Sequence, residues 1–315
     1  MLSPRPKPIL LTLSVLLAAC GAPDSASNAA DTKFPGITGH LEQGALGEAS
    51  GVAMSRRNPD VIWLINDNGN DAVLFAARRD GTHVAALPVE GATNVDWEDL
   101  ASFELDGEPW LLIGDIGDND SRHADRVLYA LREPDLDAGA PRAQVAWTVR
   151  YRYPGGARDA EAMAVDAERG EVLVLSKRDL PPELYSLPLG PGANTEMLTA
   201  KLAATLDTLP PPTAADLENS RTTDPDTFVW HWQPTAMDIS PAGKTIAILT
   251  YADTYVYSRT GQEKWQDVVS RMPHSVGRPV IPEAEAMCFI DEQQLLITAE
   301  GEHAAIQTLS ITVDR

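Results

Sequence analysis

Cysteine is almost absent: Cys20 and Cys288 are the two in 315 residues. No disulfide framework can hold this chain, so stability must come from a core or from bound ions. Histidine is scattered (His40, His83, His123, His231, His274, His303), with no pair at metal-ligand spacing, which argues against a zinc site. Basic residues are few: 25 Lys and Arg face 46 Asp and Glu, a formal net charge of −21. Nucleic acid is therefore a poor partner, since clustered Lys and Arg drive its binding, and the general field favours cations. The same acidic surface keeps an exported protein soluble. There is no Gly-x-Ser-x-Gly elbow, no His-Glu-x-x-His, no Walker A loop and no dinucleotide Gly-x-Gly-x-x-Gly, so the signatures of several enzyme classes are missing. The apolar run Pro8 to Ala19 has 12 residues, short of the roughly 20 that cross a bilayer as a helix.

That short run has another use. It follows a basic segment, Met1 to Lys7, and ends Leu17-Ala18-Ala19-Cys20-Gly21. A basic start followed by a short apolar stretch suits a signal peptide, and the last five residues resemble the lipobox of bacterial lipoproteins. The expectation is export, cleavage after residue 19 and acylation of Cys20, with several acyl chains (palmitate among them) giving a stable membrane anchor. Residues 20–33, small and polar, read as a flexible tether. Gly21 is the kind of residue that permits passage to the outer membrane, facing the periplasm. Removing Arg5 and Lys7 with the leader leaves 23 basic against 46 acidic residues, a charge of −23. Cys288, in the apolar run Ala286-Met287-Cys288-Phe289, reads as a buried, inert thiol.

Residues 34–315 repeat one pattern five times. A short apolar strand follows a polar residue, at Ser50, Glu98, Glu161, Thr235 and Glu285. A turn and a second apolar strand come next: Ile62–Ile65, Trp110–Ile113, Val172–Leu175, Ile246–Leu249 and Leu295–Thr298. Third strands follow at Val73, Val127, Leu184, Tyr255 and Ile306, and fourth strands at His83 and Gln144. Turns such as Asn58-Pro59-Asp60 and Asp106-Gly107 carry hairpin chemistry. Repetition of a four-stranded unit points to an all-β fold, a β-propeller. Five blades are counted; six are possible if the insertion at about 207–229 hides one. The N-terminal segment Ile37-Thr38-Gly39-His40-Leu41 is expected to supply the outer strand of the last blade and close the ring, leaving no open edge.

In such a fold the residue before the first strand and the residue after the second meet at one mouth of the central channel. The pairs are Ser50 with Asp67, Glu98 with Asp115, Glu161 with Lys177, Thr235 with Tyr251, and Glu285 with Glu300. Glu48, Asp96, Asp99, Asp159 and Glu283 lie beside them. Clustered carboxylates persist where a cation, hydrogen bonds or raised pKa values offset their repulsion. The loops Asn66-Asp67-Asn68-Gly69-Asn70-Asp71 and Gly114-Asp115-Ile116-Gly117-Asp118-Asn119-Asp120 have the oxygen-rich composition of Ca²⁺ loops, and of ordinary turns. Aligning them sets Asp67 on Asp115 and Asn70 on Asp118. The expected metal ligands are thus Asp67, Glu98, Asp115 and Asp118. Glu161, Lys177, Tyr251, Glu285 and Glu300 are the expected ligand-binding residues. Trp230-His231-Trp232 could lid a ligand or pack between blades.

Several phrases resemble a widespread family of exported bacterial propeller proteins: Asp96-Trp97-Glu98-Asp99-Leu100-Ala101, Gly114-Asp115-Ile116-Gly117-Asp118-Asn119, Tyr153-Pro154 with Asp159-Ala160-Glu161-Ala162, and Asp238-Ile239-Ser240-Pro241 followed by Thr250-Tyr251. The resemblance implies the fold and export and transfers no catalytic residue. A looser likeness, to calcium-dependent propeller hydrolases of the phytase and lactonase types, lies in the acids gathered at a channel mouth. Three functions follow as expectations: a lipid-anchored propeller binding a ligand or partner at its acidic mouth with a divalent cation; a calcium-dependent hydrolase of phosphoesters or lactones; or a scaffold whose ring is structural.

Overall fold

Short apolar runs separated by turn residues fold into strands. The computed structural model describes residues 36–191, 197–211, 214 and 232–311. The lipobox with Cys20, the tether, Trp230-His231 and most of the insertion lie outside the described residues. The chain divides into the units Met1–Lys33 and Phe34–Arg315, and everything below concerns the second.

The second unit is all-β apart from one described four-residue helix, Trp265–Val268. Its strands form antiparallel sheets in chain order. The first group is β2 (Ala49–Met54), β3 (Val61–Asn66), β4 (Val73–Arg78) and β5 (His83–Glu90). The second is β6 (Trp97–Leu105), β7 (Glu108–Asp115), β8 (Arg126–Arg132) and β9 (Ala143–Arg152). These two groups join through a short parallel pairing of β5 with β9, Val89 opposite Ala143, and β13 (Leu198–Thr199) adds to β9. The third sheet is β10 (Ala160–Asp166), β11 (Glu171–Ser176), β12 (Glu183–Pro188) and β14 (Lys201–Thr205). The fourth is β15 (Pro234–Ile239), β16 (Thr245–Thr250), β17 (Thr254–Ser258) and β18 (His274–Gly277). In the last, β19 (Ala284–Asp291), β20 (Gln294–Ala299) and β21 (Ala305–Ser310) take β1 (Ile37–His40) as their fourth strand. Meander order is what hairpin turns dictate: Asp106 and Gly107 both have positive φ, 54° and 76°, as a tight two-residue turn between right-twisted strands requires.

Burial grades across each group. β3 is buried at every position and β10 likewise, whereas β9 alternates buried and exposed residues. Second strands therefore read as nearly continuous apolar runs and fourth strands as one-faced, because only the latter meet water, while first strands also bury acids such as Glu161 and Asp166. The apolar core is shared between neighbouring sheets. Trp63 and Ile65 pack with Leu111 and Ile113, Met163 and Val174 with Leu112 and Trp147, Ile246 and Ile248 with Leu173 and Leu175, Leu249 with Met287, and Val52 with Ala286 and Cys288. The first strands lie side by side in the sequence β2, β6, β10, β15, β19, with β19 again beside β2.

Buried polar groups pin neighbouring sheets. The Glu133 carboxylate accepts Trp63 Nε1–H at 2.9 Å and the Arg56 N–H at 3.0 Å. Asp166 accepts Trp265 Nε1–H at 2.9 Å and Arg259 Nη1 at 2.6 Å. Each satisfies indole and backbone donors that burial would otherwise orphan. Cys288 is buried and free, and burial pushes its thiol well above the usual pKa, so it is a packing residue.

Candidate functional site

Each first strand begins with the same irregularity. Its register against the second strand shifts by one residue, and the unpaired residue is Ser50 between Ala49 and Gly51, Glu98 between Trp97 and Asp99, Glu161 between Ala160 and Ala162, Thr235 between Pro234 and Ala236, and Glu285 between Ala284 and Ala286. A β-bulge bends the strand and re-aims the extra side chain. Five equivalent bulges thus present the five residues singled out in the sequence. Two turn back on the scaffold: Ser50 Oγ donates to the Trp97 carbonyl (2.8 Å) and Thr235 Oγ1 to the Ala284 carbonyl (3.0 Å), each on the neighbouring first strand. The three glutamates do not.

Glu98 and Glu161 are 5% exposed. Glu161 pairs with Lys177, whose Nζ lies 3.3 Å from the Tyr251 hydroxyl and 5.5 Å from that ring's centroid. The Tyr251 hydroxyl donates to Glu285, and Glu285 shares a hydrogen bond with Glu300. Glu161, Lys177, Tyr251, Glu285 and Glu300 therefore form one continuous chain across three sheets. Burial alone would lower the Lys177 pKa, but Glu161, Glu285 and Glu98 hold it above its usual value. One ammonium does not neutralise so many carboxylates. Burial raises Glu161 to about 8 against the opposing pull of Lys177, and burial with repulsion from Glu285 raises Glu300 to about 9; burial with the surrounding carboxylates raises the Tyr251 hydroxyl as well.

Beside this chain Asp67, Asp96 and Glu98 converge, with one carboxylate oxygen from each lying within 4.8 Å of the others. Asp67 follows β3, Asp96 precedes β6, and Glu98 is the bulge residue of β6. Asn68 Nδ2 donates to Asp96 Oδ1 at 2.8 Å. Glu98 Oε1 is buried with no hydrogen-bond partner. Burial raises all three carboxyls, Asp67 to about 7 and Glu98 well above its ordinary value; repulsion from the other acids of the cluster adds to the rise at Asp67 and Glu98, and repulsion from Asp159 at Asp96. Glu98 and Asp96 pack directly against residue 117, which is glycine: a Cβ there would overlap Glu98 Oε1 and lie 2.7 Å from Asp96 Cγ. Three converging carboxylate oxygens, one of them buried and unpartnered, are a set that could hold a hard divalent cation.

The two Asp/Asn/Gly-rich loops are offset by one residue from the register their sequences suggest. Ladder pairing sets Asp115 opposite Trp97 and Asn66 opposite Ala49, so Asp115 corresponds to Asn66, and Ile116 to Asp67. The β6–β7 hairpin is one residue longer, and a one-residue slip reverses a side chain's face. Asp115 is buried; its Oδ1 accepts the Asp96 N–H at 3.0 Å, Oδ2 has no hydrogen-bond partner, and burial raises it to about 6. It holds the backbone of Asp96. Asp118 lies apart from the three converging acids. Burial would raise its pKa, but the N–H groups of Arg122 and His123 and the Arg126 guanidinium, 3.0 Å away, hold it below the usual range. Asp96, noted from sequence only as a neighbour, is the third member.

Asp99, fully buried, accepts main-chain donors from three first strands: Oδ1 accepts Leu100 N–H at 2.8 Å, and Oδ2 accepts Met163 N–H at 2.7 Å and Met237 N–H at 3.3 Å. One carboxylate joins β6, β10 and β15. Asp238 does the same for Phe289 N–H at 2.8 Å.

No family model and no curated protein matches the chain. Among solved structures, it is similar to a chain of a nidogen–laminin complex (10% identity, 84% of this chain and 80% of that one, TM-score 0.42). It is also similar to the hydrazine synthase of Kuenenia stuttgartiensis (11% identity, 84% and 72%, TM-score 0.43). A third likeness is to a gluconolactonase of Xanthomonas campestris (13% identity, 80% and 69%, TM-score 0.40). Each is a partial likeness of shape and transfers no residue.

Proposed function

We propose that the chain is a five-bladed β-propeller, closed by β1 and anchored to a membrane by lipid on Cys20, whose acidic mouth binds a divalent cation and, through it, a ligand or partner. Asp67, Asp96 and Glu98 would hold the cation. All-oxygen donors with no histidine favour Ca²⁺. The observation that carries the reading is Glu98 Oε1, buried and unpartnered beside two further carboxylates; an uncompensated buried carboxylate is costly, and a cation offsets that cost. The cyclic contact of the first strands supports closure, and the lipobox resemblance supports the anchor and a periplasm-facing location.

A second reading, hydrolysis of a phosphoester or lactone, draws on the Lys177–Tyr251 contact of 3.3 Å in the same mouth. A bound cation would polarise the ester oxygen, while Lys177 meets an anionic group.

The test is thermal unfolding of the protein after EDTA treatment, followed by Ca²⁺ titration. Binding to the folded state raises the midpoint by mass action. The reading expects a saturable rise that Glu98→Gln abolishes. An absent rise sinks it and leaves the acids as structural groups. Turnover of a phosphoester or lactone panel, dependent on both Ca²⁺ and Lys177, would select the hydrolase.

A further inference from the structure

On an acidic chain a cleft lined by cations without carboxylates stands out. Arg122, His123, Arg152, Tyr153, Gly155 and Gly156 line one of about 620 Å³, and no Asp or Glu is among its lining residues. The cleft at the far end of the first strands, by contrast, includes Asp238, and one beside the helix includes Glu171.

The cationic cleft lies on the same side as the mouth. Its walls are the β7–β8 loop and the β9–β10 loop, and β7 ends and β10 begins at the ring of bulges. Asp118 fixes one wall. It accepts the Arg122 and His123 N–H groups, both within 2.9 Å, while its own N–H donates to Asp159 Oδ1 at 2.8 Å. Arg152 stands on the other wall, at the end of β9, and its Nε donates to Thr199 Oγ1 at 3.4 Å. Arg122 reaches the exposed Asp120 at 3.2 Å, a solvent-screened pair that a better acceptor displaces at little cost. At Gly156, which has φ +104°, the cleft is open: a Cβ there would meet nothing within 4 Å, whereas at the neighbouring Gly155 one would lie 3.2 Å from the Arg158 guanidinium.

We propose that this cleft is an anion subsite that takes a phosphate-type oxyanion between the Arg122 and Arg152 guanidiniums. Planar, always-charged forks match tetrahedral oxyanions and bind them through paired hydrogen bonds. The subsite stands on its own residues and does not require the cation at the mouth.

The probe is inorganic phosphate, titrated calorimetrically into the EDTA-treated protein at low ionic strength and again at high salt, where exposed charge pairs are screened. The expected result is saturable binding that weakens with salt, falls at least tenfold in Arg122→Gln/Arg152→Gln, and is unchanged in Glu98→Gln. Far-ultraviolet circular dichroism checks that the double variant is folded. Two results overturn the proposal: no binding to the metal-free protein, or binding that appears only with Ca²⁺ and disappears in Glu98→Gln, which would put the phosphate on the cation. Failure of the cation reading leaves the first titration unaffected, so the two ideas fail separately.

Discussion

Gly117 packs against Glu98 with no room for a side chain, because a Cβ would overlap Glu98 Oε1 and press on Asp96 Cγ at 2.7 Å. Gly117→Ala should therefore displace one of two carboxylates from the cation site while leaving the sheets intact. Calorimetry should show the Ca²⁺-induced rise in midpoint lost, with the metal-free midpoint within a few degrees of the parent. A retained rise would place the cation elsewhere.

Stability of the metal-free protein should fall as pH rises. Glu161 and Glu300 have folded pKa values of about 8 and 9 against an unfolded value near ~4.3. Between those limits the folded state holds protons that the unfolded state has released, so the slope of unfolding free energy with pH is negative. Unfolding midpoints measured from pH 5 to pH 9 after EDTA treatment should decline, and saturating Ca²⁺ should flatten the decline by favouring the ionised forms. A metal-free midpoint that climbs across this window would show that these carboxyls are ionised in the fold.

Lys177→Met removes the ammonium from the chain Glu161–Lys177–Tyr251–Glu285. Leaving a buried carboxylate unpaired costs about 3–5 kcal/mol, but a proton on Glu161 can substitute at low pH. Urea unfolding should therefore show a loss of about 1 kcal/mol at pH 5 and about 3 kcal/mol at pH 8.5. Equal losses at both values would mean that Lys177 contributes packing rather than charge.

Asp99 carries a heavier structural duty than any mouth residue. Asp99→Ala strips acceptors from three buried N–H groups, each worth about 1–3 kcal/mol when orphaned, so equilibrium unfolding should report a loss of 3 kcal/mol or more by that reasoning. Asp99→Asn, which keeps one acceptor oxygen, should lose less. A loss below 1 kcal/mol in the alanine variant would show that water takes over the role.

The repeating strands were legible because second strands are nearly continuous apolar runs and outer ones alternate, so Val172–Leu175 and Gln144–Val149 announce different depths. The residues at the mouth were legible from a near-constant spacing. What spacing could not reveal is register. The extra residue in the β6–β7 hairpin moved Asp115 off the position of Asp67, and the bulges themselves have no side-chain signature, since serine, threonine and glutamate all occupy them. Asp118 looked like a ligand because its loop composition suits both turns and cation sites. Its guanidinium partner, Arg126, lies eight residues on, and only the folded loop brings the two together.

The bulges have one more implication. The direction in which Ser50, Glu98, Glu161, Thr235 and Glu285 project is set by the main chain, not by their own chemistry. Those positions behave as interchangeable sockets on a fixed frame: Ser50 and Thr235 fill theirs with groups that lock adjacent strands, and the glutamates fill theirs with charge. A single codon change at one socket could thus trade mechanical strength for binding chemistry, or the reverse, without redrawing the architecture around it.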